Sequence, residues 1–269
     1  MKQMRARWLS LLWPVLVLGT AAAGQSGLAA QGSKSDTVPC KYEYPTNWTA
    51  AIYAPGTKNL LFRFRRLATR SGATVSVHRD FADPAGNLAA MEDVFYQGDQ
   101  LVRYDLKELQ IGAEGSARIR ASPTDPAKGT LEFEYRPGPN SRLKTSTEAL
   151  VPDTLIGDMI GPFLGSHWQA LQRGEKVRCR YIVVPRLETV GFTFAKEAKG
   201  AANPNVVIIR MEPTSLIIAA LVDPVFFTLE AAPPHNILDC AGRTTPKVQM
   251  KGKWKDLDAF TVFEQQTAR

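Results

Sequence analysis

The sequence predicts a mainly β protein (α+β), built from an antiparallel sheet with a short helical pair in the middle of the chain. Most segments after residue 41 alternate apolar and charged residues with period two, and turn-forming residues separate them. One apolar and one charged face per strand is typical of antiparallel strands that cover a single core. Between Pro152 and Gly174 the apolar spacing changes to three and four residues, which is the helical spacing.

The N-terminus has the layout of a secretory signal peptide. Three basic residues precede the apolar run Trp8–Leu18, and small residues follow as far as Ala30. This run is shorter than the roughly 20 residues that a membrane-spanning helix needs. We therefore predict a cleaved signal peptide at residues 1–30 and a flexible lead-in at 31–41. An uncleaved anchor is the alternative, and cleavage could also fall after Ala23.

Length and charge predict one exported domain. We expect a single β-rich domain over residues 42–264 and a tail at 265–269. Removing the signal peptide takes away three basic residues and no acidic residue, so the net charge falls from +7 to +4. Such a mild charge does not favour a nucleic-acid partner. The expected location is the periplasm or the exterior, and the processed chain is not expected to be an integral membrane protein.

Three hairpins are predicted in the first half of the domain from alternation and turn residues. They pair 60–67 with 74–81, 92–97 with 100–109, and 115–121 with 129–136. Gly98-Asp99 suits a two-residue type II′ turn in the second hairpin.

Two short helices are predicted next, meeting at Pro162 because proline cannot lie deep inside a helix. Pro152 suits the start of the first helix, with Asp153 as its cap. Ser166, with a glutamine three residues later, has the capping-box pattern for the second helix, and Gly174 suits its end.

Strands return after the helices. The predicted segments are 175–184, 188–197, 205–212, 226–230, 235–242 and 259–264. The most apolar stretch, Val206–Phe227, is not expected to span a membrane. It holds three charged residues, each costing about 2.5–3.5 kcal/mol at the bilayer centre, and two prolines. One or two helical turns are predicted at 215–222, as core or as the lining of a cavity.

The order of elements resembles that of secreted, β-rich bacterial proteins that are classified only as a domain of unknown function. The matching phrases are "LQRGEKVRCRYIVV", "ETVGF", "MEPTSLIIAALVDPVFFTLE" and "GRTTPK", and the resemblance covers about residues 42–264. It implies an open, curved antiparallel sheet, a half barrel whose concave face is plugged by a helix, similar in shape to periplasmic lipoprotein carriers. The resemblance implies no active-site residues for this chain.

Catalytic chemistry is not expected. His235, Asp239 and Cys240 lie close in sequence and could form a nucleophile and its base. Alternation along a strand, however, places His235 and Cys240 on opposite faces. A turn histidine and a strand cysteine are favoured, and a hydrolase is the less favoured alternative.

Metal and cofactor sites are not expected either, because His78 and His167 have no second ligand at metal-binding spacing. The chain has three cysteines and no C-x-x-C motif. Cys179 is predicted to point inward, and a Cys40–Cys240 disulfide is the preferred pairing, although all three pairings remain open.

The basic clusters at 63–70 and 247–255 are interpreted as solvated faces, with an anionic-lipid contact as the alternative. For a ligand, the candidates are the apolar residues of the helical segments: Phe163, Trp168, Ile217 and Ile218. They predict a lipid-like or other apolar ligand held between the sheet and the helices. The alternative is a packed core in a structural or adaptor protein of the cell envelope, with a protein partner.

Overall fold

The computed structural model describes residues 47–122, 128–198 and 203–264. The predicted signal peptide, the lead-in, Cys40 and the tail at 265–269 lie outside these ranges.

In the described part of the chain, fifteen strands form one curved sheet. The strands are β1 (Trp48–Tyr53), β2 (Leu60–Ser71), β3 (Thr74–Ala82), β4 (Leu88–Gln97), β5 (Gln100–Glu108), β6 (Ala113–Ala121), β7 (Gly129–Arg136), β8 (Lys144–Ala149), β9 (Thr154–Leu155), β10 (Val177–Val183), β11 (Glu188–Lys196), β12 (Val206–Pro213), β13 (Val225–Glu230), β14 (Ile237–Met250) and β15 (Lys253–Glu264). The order across the sheet is β8-β7-β6-β5-β4-β3-β2-β1-β15-β14-β13-β12-β11-β10-β9. The mainly β, antiparallel prediction is confirmed, with β9–β10 as a short parallel pair.

Successive strands are neighbours, except β8 and β9, which lie at opposite edges, so the connections alternate between two opposite ends of the sheet. We call one end the upper rim, and it consists of the turns 54–59, 83–87, 109–112, 137–143, 184–187, 214–224 and 251–252. The lower rim comprises 72–73, 98–99, 150–153, 173–176 and 231–236, together with two turns that are described only in part. The three hairpins predicted in the first half of the domain are present, and the predicted strands 175–184 and 188–197, and 226–230 and 235–242, also pair as hairpins.

The alternating sequence explains the two faces of each strand. In β2, Phe62 and Phe64 are buried whereas Arg63 and Arg65 are exposed. At the tip of the β4–β5 hairpin, Gly98 has φ 59°, as the first central residue of the predicted type II′ turn requires.

The sheet curves until distant strands meet over its concave face. The backbone amide and hydroxyl of Thr189 in β11 donate hydrogen bonds of 3.0 and 2.7 Å to the Glu148 carboxylate at the other edge, in β8. One buried cluster combines Val77 and Phe133 from one side of the sheet with Phe194 and Ile209 from the other. The segment between β8 and β9 crosses this gap.

The mid-chain helical segment fills the concave face. It consists of a 3₁₀ turn at Gly157–Met159, α1 (Ile160–Ser166) and α2 (Trp168–Gln172). Its fully buried side chains are Phe163, Leu164 and Leu171. The predicted helical pair is therefore present, although its internal boundaries differ from the prediction.

The break between the helices lies at His167 and not at Pro162. Pro162 lies in the first turn of α1, where its missing N–H has no helical partner to lose. Ser166 does not cap α2, because its hydroxyl donates to the carbonyl oxygen of Phe163. Asp153 is not a helix cap either: it precedes β9, and its carbonyl accepts from the Arg180 amide. Gly174 follows α2 with φ 82°, as predicted for a helix end.

The predicted helical turns after β12 form α3 (Leu216–Ala219), with the Ser215 hydroxyl accepting from the Ile218 amide. They lie on the upper rim, and the Leu216 side chain is 89% exposed. Neither interpretation offered by the sequence, core or cavity lining, describes them. None of the described helices has the length and apolarity to cross a membrane.

The strands β14 and β15 extend beyond the predicted segments 235–242 and 259–264, and together they form a long hairpin that projects past its neighbours. Beyond Gly242 its strands pair only with each other, and the pairing shifts register between Thr244 and Lys247. Such a bulge bends a hairpin. The bent arm reaches the end of β5, where Gln110 and the backbone of Lys247 exchange hydrogen bonds of 2.8 and 2.7 Å.

Candidate functional site

The first two ligand candidates lie together against the concave face. Phe163 packs on Phe194 with ring centroids 5.6 Å apart. Trp168 is half-buried and stacks on the His235 ring, which belongs to the lower rim, at 3.8 Å. The core around Phe163 is packed, because protein side chains bury it completely.

Ile217 and Ile218 lie on α3 at the opposite rim. Ile217 is 70% exposed, and Ile218 is half-buried. The four candidates therefore form two groups at opposite ends of the sheet. Apolar ligand binding stays a prediction, but one site containing all four residues is not what the geometry offers.

A cluster of charged and hydroxyl groups is buried under the helical segment. Asp158, in the 3₁₀ turn, accepts hydrogen bonds from Arg66 Nε at 2.6 Å, Arg66 Nη2 at 3.0 Å and Tyr96 Oη at 2.8 Å. Burial alone would raise the pKa of Asp158, but the bonds and charge of Arg66, with a further contribution from Arg79, lower it below its ordinary value. Asp158 is therefore an anion at neutral pH.

A second pair extends this cluster towards the long hairpin. Arg79 Nη1 lies 2.5 Å from Glu92 Oε2, and the Thr245 hydroxyl donates to Glu92 Oε1 at 2.6 Å. Burial, and secondly the charge of Glu92, raise the pKa of the Tyr104 phenol well above its usual value. Tyr104 is thus neutral, and the two carboxylates of the cluster are each matched by an arginine.

These contacts give the cluster a structural role. It joins β2, β3 and β4 to the helical segment and to β14, and its carboxylates already accept strong hydrogen bonds. Among the described residues, no group of three or more His, Cys, Asp or Glu side chains is placed to hold a metal ion. His78 instead contacts Asp93, at 2.7 Å, on the outer face.

The basic residues grouped at 63–70 predict a solvated face for Arg66, and they give no sign of this buried cluster. That assignment is wrong, because the Arg66 side chain is 3% exposed. The signal was available: Arg66 has the same parity as Phe62 and Phe64 in β2, and Arg79 has the parity of Val77 in β3. Period-two alternation therefore places both arginines inward.

His235 and Cys240, which the sequence offers as a less favoured nucleophile and base, make separate contacts. The His235 ring stacks on Trp168, and its Nδ1 lies 3.2 Å from the carbonyl oxygen of Glu230. Burial raises the pKa of the Cys240 thiol to about 12, so the thiolate needed for attack is scarce at neutral pH. Cys179 is buried as predicted, and among the described residues neither Cys179 nor Cys240 is bonded to another cysteine. The Cys40–Cys240 bridge stays a prediction because Cys40 lies outside the described residues.

An open apolar groove of about 550 Å³ lies on the outer face at the upper rim. Its floor is a row across neighbouring strands, formed by Phe226, Ala241 and Phe260. The turn at 55–57 and Pro224, which follows α3, form its walls. The one carboxylate in the lining, Asp258, is paired with Arg243 at 2.8 Å.

No family model matches the chain, and no curated protein matches it. Among solved structures, the chain is similar to a β-barrel-like protein of the domain of unknown function DUF1849 from Brucella abortus. That similarity has 8% identity and a TM-score of 0.33, and it covers 81% of this chain and 93% of the other. A porin-like protein from Bacteroides uniformis is 6% identical, with a TM-score of 0.17 and coverage of 81% and 96%. At such low TM-scores, neither similarity indicates a shared function.

Proposed function

We propose that the protein is a non-enzymatic, exported protein that binds an apolar, lipid-like molecule in the outer groove at its upper rim. The observation that carries this proposal is the groove itself, with the aromatic rings of Phe226 and Phe260 open to solvent on a strand face. Its volume falls within the range of about 300–1,000 Å³ that is usual for small-molecule pockets.

Packing favours the groove over the interior as the place for a ligand. Around Phe163 and Leu171 the concave face is filled by side chains that contact one another. An interior ligand would have to displace core residues at a cost comparable to cavity formation, about 2–5 kcal/mol for a large side chain. In the groove, each CH₂ group of an acyl chain that is removed from water contributes about 0.8 kcal/mol without that cost.

The absence of enzymatic activity is inferred from the state of the reactive groups. Cys179 and Cys240 have pKa values raised to about 12 by burial. The buried carboxylates of Asp158 and Glu92 are neutralised by arginines. Export is inferred from the basic, apolar and small residues of the N-terminus.

The test is a titration of the delipidated protein with a fluorescent fatty acid below its micelle concentration. We expect saturable binding that weakens at least tenfold in Phe226→Ser and Phe260→Ser. Leu67→Ser is the matched control, because Leu67 is a similarly exposed strand residue outside the groove lining. Trp168→Ala reports on the interior and should leave the affinity unchanged.

Two results would refute the groove. Loss of binding in Trp168→Ala alone would place the ligand in the interior, between Phe163 and the lower rim. Failure of the wild-type protein to bind any fatty acid would favour the alternative of a packed structural or adaptor protein.

A further inference from the structure

We propose that the upper rim docks the protein on the surface of an anionic lipid bilayer, with α3 and the tip of the β14–β15 hairpin inserted among the headgroups. This deepens the proposed function by naming a bilayer surface as the source of the apolar molecule, and it rests on that function only for the role of the groove.

The first contact is α3 with the residues around it. Leu216, Ile217 and Leu221 are 89, 70 and 74% exposed, and no charged residue lies between Pro213 and Asp223. Exposed apolar side chains grouped in this way usually mark an interaction surface. These three side chains project from the rim, and the neighbouring groove begins at Pro224.

The second contact is the hairpin tip, which combines apolar and basic residues. Met250 and Trp254 are 49 and 43% exposed, and Lys251 and Lys253 lie between them in sequence. Tryptophan prefers the membrane–water interface, and lysines attract anionic headgroups. For the basic cluster at 247–255, the proposal therefore follows the alternative interpretation from sequence, which is a contact with anionic lipid.

Exposed apolar residues are concentrated at this rim. Of the thirteen large apolar side chains that are exposed in the described part of the chain, ten belong to the upper-rim turns or to strand residues beside them. They are Leu88, Leu109, Leu143, Leu216, Ile217, Leu221, Phe226, Met250, Trp254 and Phe260. One end of the sheet thus exposes several apolar side chains on separate turns. This arrangement suits a flat partner surface better than a narrow ligand.

Charge favours an anionic surface as that partner. The seven upper-rim turns contain four basic residues, Lys58, Arg142, Arg186 and Lys251, and two acidic ones. The five lower-rim segments that are described in full contain two basic residues, Arg173 and Lys176, and three acidic ones, Asp99, Asp153 and Glu175. The exposed apolar residues and the excess of basic turn residues therefore lie at the same end, which is the combination found in interfacial membrane binding.

The test is flotation of the exported protein with vesicles of phosphatidylcholine alone and of phosphatidylcholine with a quarter of phosphatidylglycerol. We expect binding to the anionic vesicles that weakens as salt rises. The pair Ile217→Asp and Leu221→Asp should lower partitioning at least tenfold on both compositions. The pair Lys251→Glu and Lys253→Glu should lower partitioning to anionic vesicles by about 25-fold or more and leave partitioning to neutral vesicles unchanged. The figure follows because each lysine near an anionic surface strengthens partitioning about fivefold.

The matched control is Leu67→Asp with Arg70→Glu, which changes one exposed apolar and one basic residue near the opposite end of the sheet. Brominated lipid should quench tryptophan fluorescence in the wild-type protein and much less in Trp254→Phe. Equal flotation of the rim variants and the control, or no flotation of the wild-type protein, overturns the proposal. A stoichiometric protein complex formed through this rim without vesicle binding also overturns it, in favour of a protein partner.

The fatty-acid titration separates this inference from the proposed function. The α3 and lysine variants leave the groove residues unchanged, so they should bind monomeric fatty acid like the wild-type protein. Vesicle binding without fatty-acid binding would leave the docking surface standing and remove the groove. Fatty-acid binding without vesicle binding would do the reverse.

Discussion

Removing the buried carboxylate of Asp158 should destabilise the protein more than any single change at its surface. The Asp158 side chain is completely buried and holds Arg66, itself 3% exposed, through two hydrogen bonds. Asp158→Asn keeps the shape but removes the carboxylate charge that accepts both of these hydrogen bonds from the buried arginine. Breaking a buried pair in this way costs about 3–5 kcal/mol, which lowers the midpoint of thermal unfolding by roughly 6–20 °C in a domain of this size.

The assay is urea unfolding followed by tryptophan fluorescence, repeated by circular dichroism to check that the two transitions coincide. The control is Glu132→Gln, which removes the exposed Arg120–Glu132 ion pair and should change stability by less than about 0.5 kcal/mol. Adding Arg66→Met to Asp158→Asn removes the buried arginine charge as well and should recover part of the loss. The difference from additivity measures the interaction between Arg66 and Asp158. An unfolding midpoint of Asp158→Asn equal to that of the wild type would refute the reasoning.

The same pair predicts a pH dependence. Because the pKa of Asp158 is lower in the folded state, its contribution is fully present above the unfolded pKa of about 3.9 and is lost as pH falls through the folded pKa. The stability difference between the wild type and Asp158→Asn should therefore be constant between pH 8 and pH 5. It should shrink below about pH 4, and a difference that shrinks already at pH 6 would contradict the assignment.

Three further predictions follow from buried groups. Cys179 and Cys240, with pKa values near 12, should resist iodoacetamide at pH 8 until urea unfolds the protein; peptide mass spectrometry would detect early labelling, which would contradict their burial. Gly115→Ala should lower the free energy of unfolding by about 1–3 kcal/mol, because the added Cβ would lie 2.6 Å from a Val184 methyl group. Gly165→Ala meets open space and should stabilise α1 by about 0.5–1 kcal/mol. Equal unfolding midpoints for the two variants would contradict both expectations. The pKa of Tyr104 is raised in the folded state, so the stability that this group contributes is fully present below about pH 10 and is lost as pH rises through the folded pKa. Alkaline unfolding should therefore begin above about pH 10, and tyrosinate absorbance would measure it.

Clearly alternating strands were predictable from sequence, whereas β1 and β8, which lack a clear alternation, were not predicted. The β2–β3 and β4–β5 hairpins alternate clearly, and they were predicted with their turns. The strand β8 has the sequence KTSTEA and no buried residue, so it leaves no apolar period to detect. It is held by pairing with β7 and by the contact of Glu148 with Thr189, 41 residues away in sequence.

The candidate site was less predictable because its position depends on contacts between distant parts of the chain. Sequence identified α3 as a helical turn, but the local pattern cannot say whether the sheet covers that turn or leaves it on a rim. The long hairpin posed the same difficulty, since the alternation of 259–264 gave no indication that β15 starts at Lys253. The inward arginines are a different case: parity within β2 and β3 was sufficient, but clustering by charge obscured it.

The buried polar contacts explain why the hairpin tip stays exposed. An arm carrying Met250 and Trp254 would gain by folding back onto apolar surface if its base were free to move. Its base is fixed by the Thr245–Glu92 hydrogen bond and by Lys247, which lies 2.9 Å from the buried carboxylate of Glu108. Releasing these contacts would leave Glu92 and Glu108 buried with fewer partners, at a cost of several kcal/mol. The polar contacts beneath the hairpin therefore hold its apolar tip outward, as the proposed docking on a bilayer surface requires.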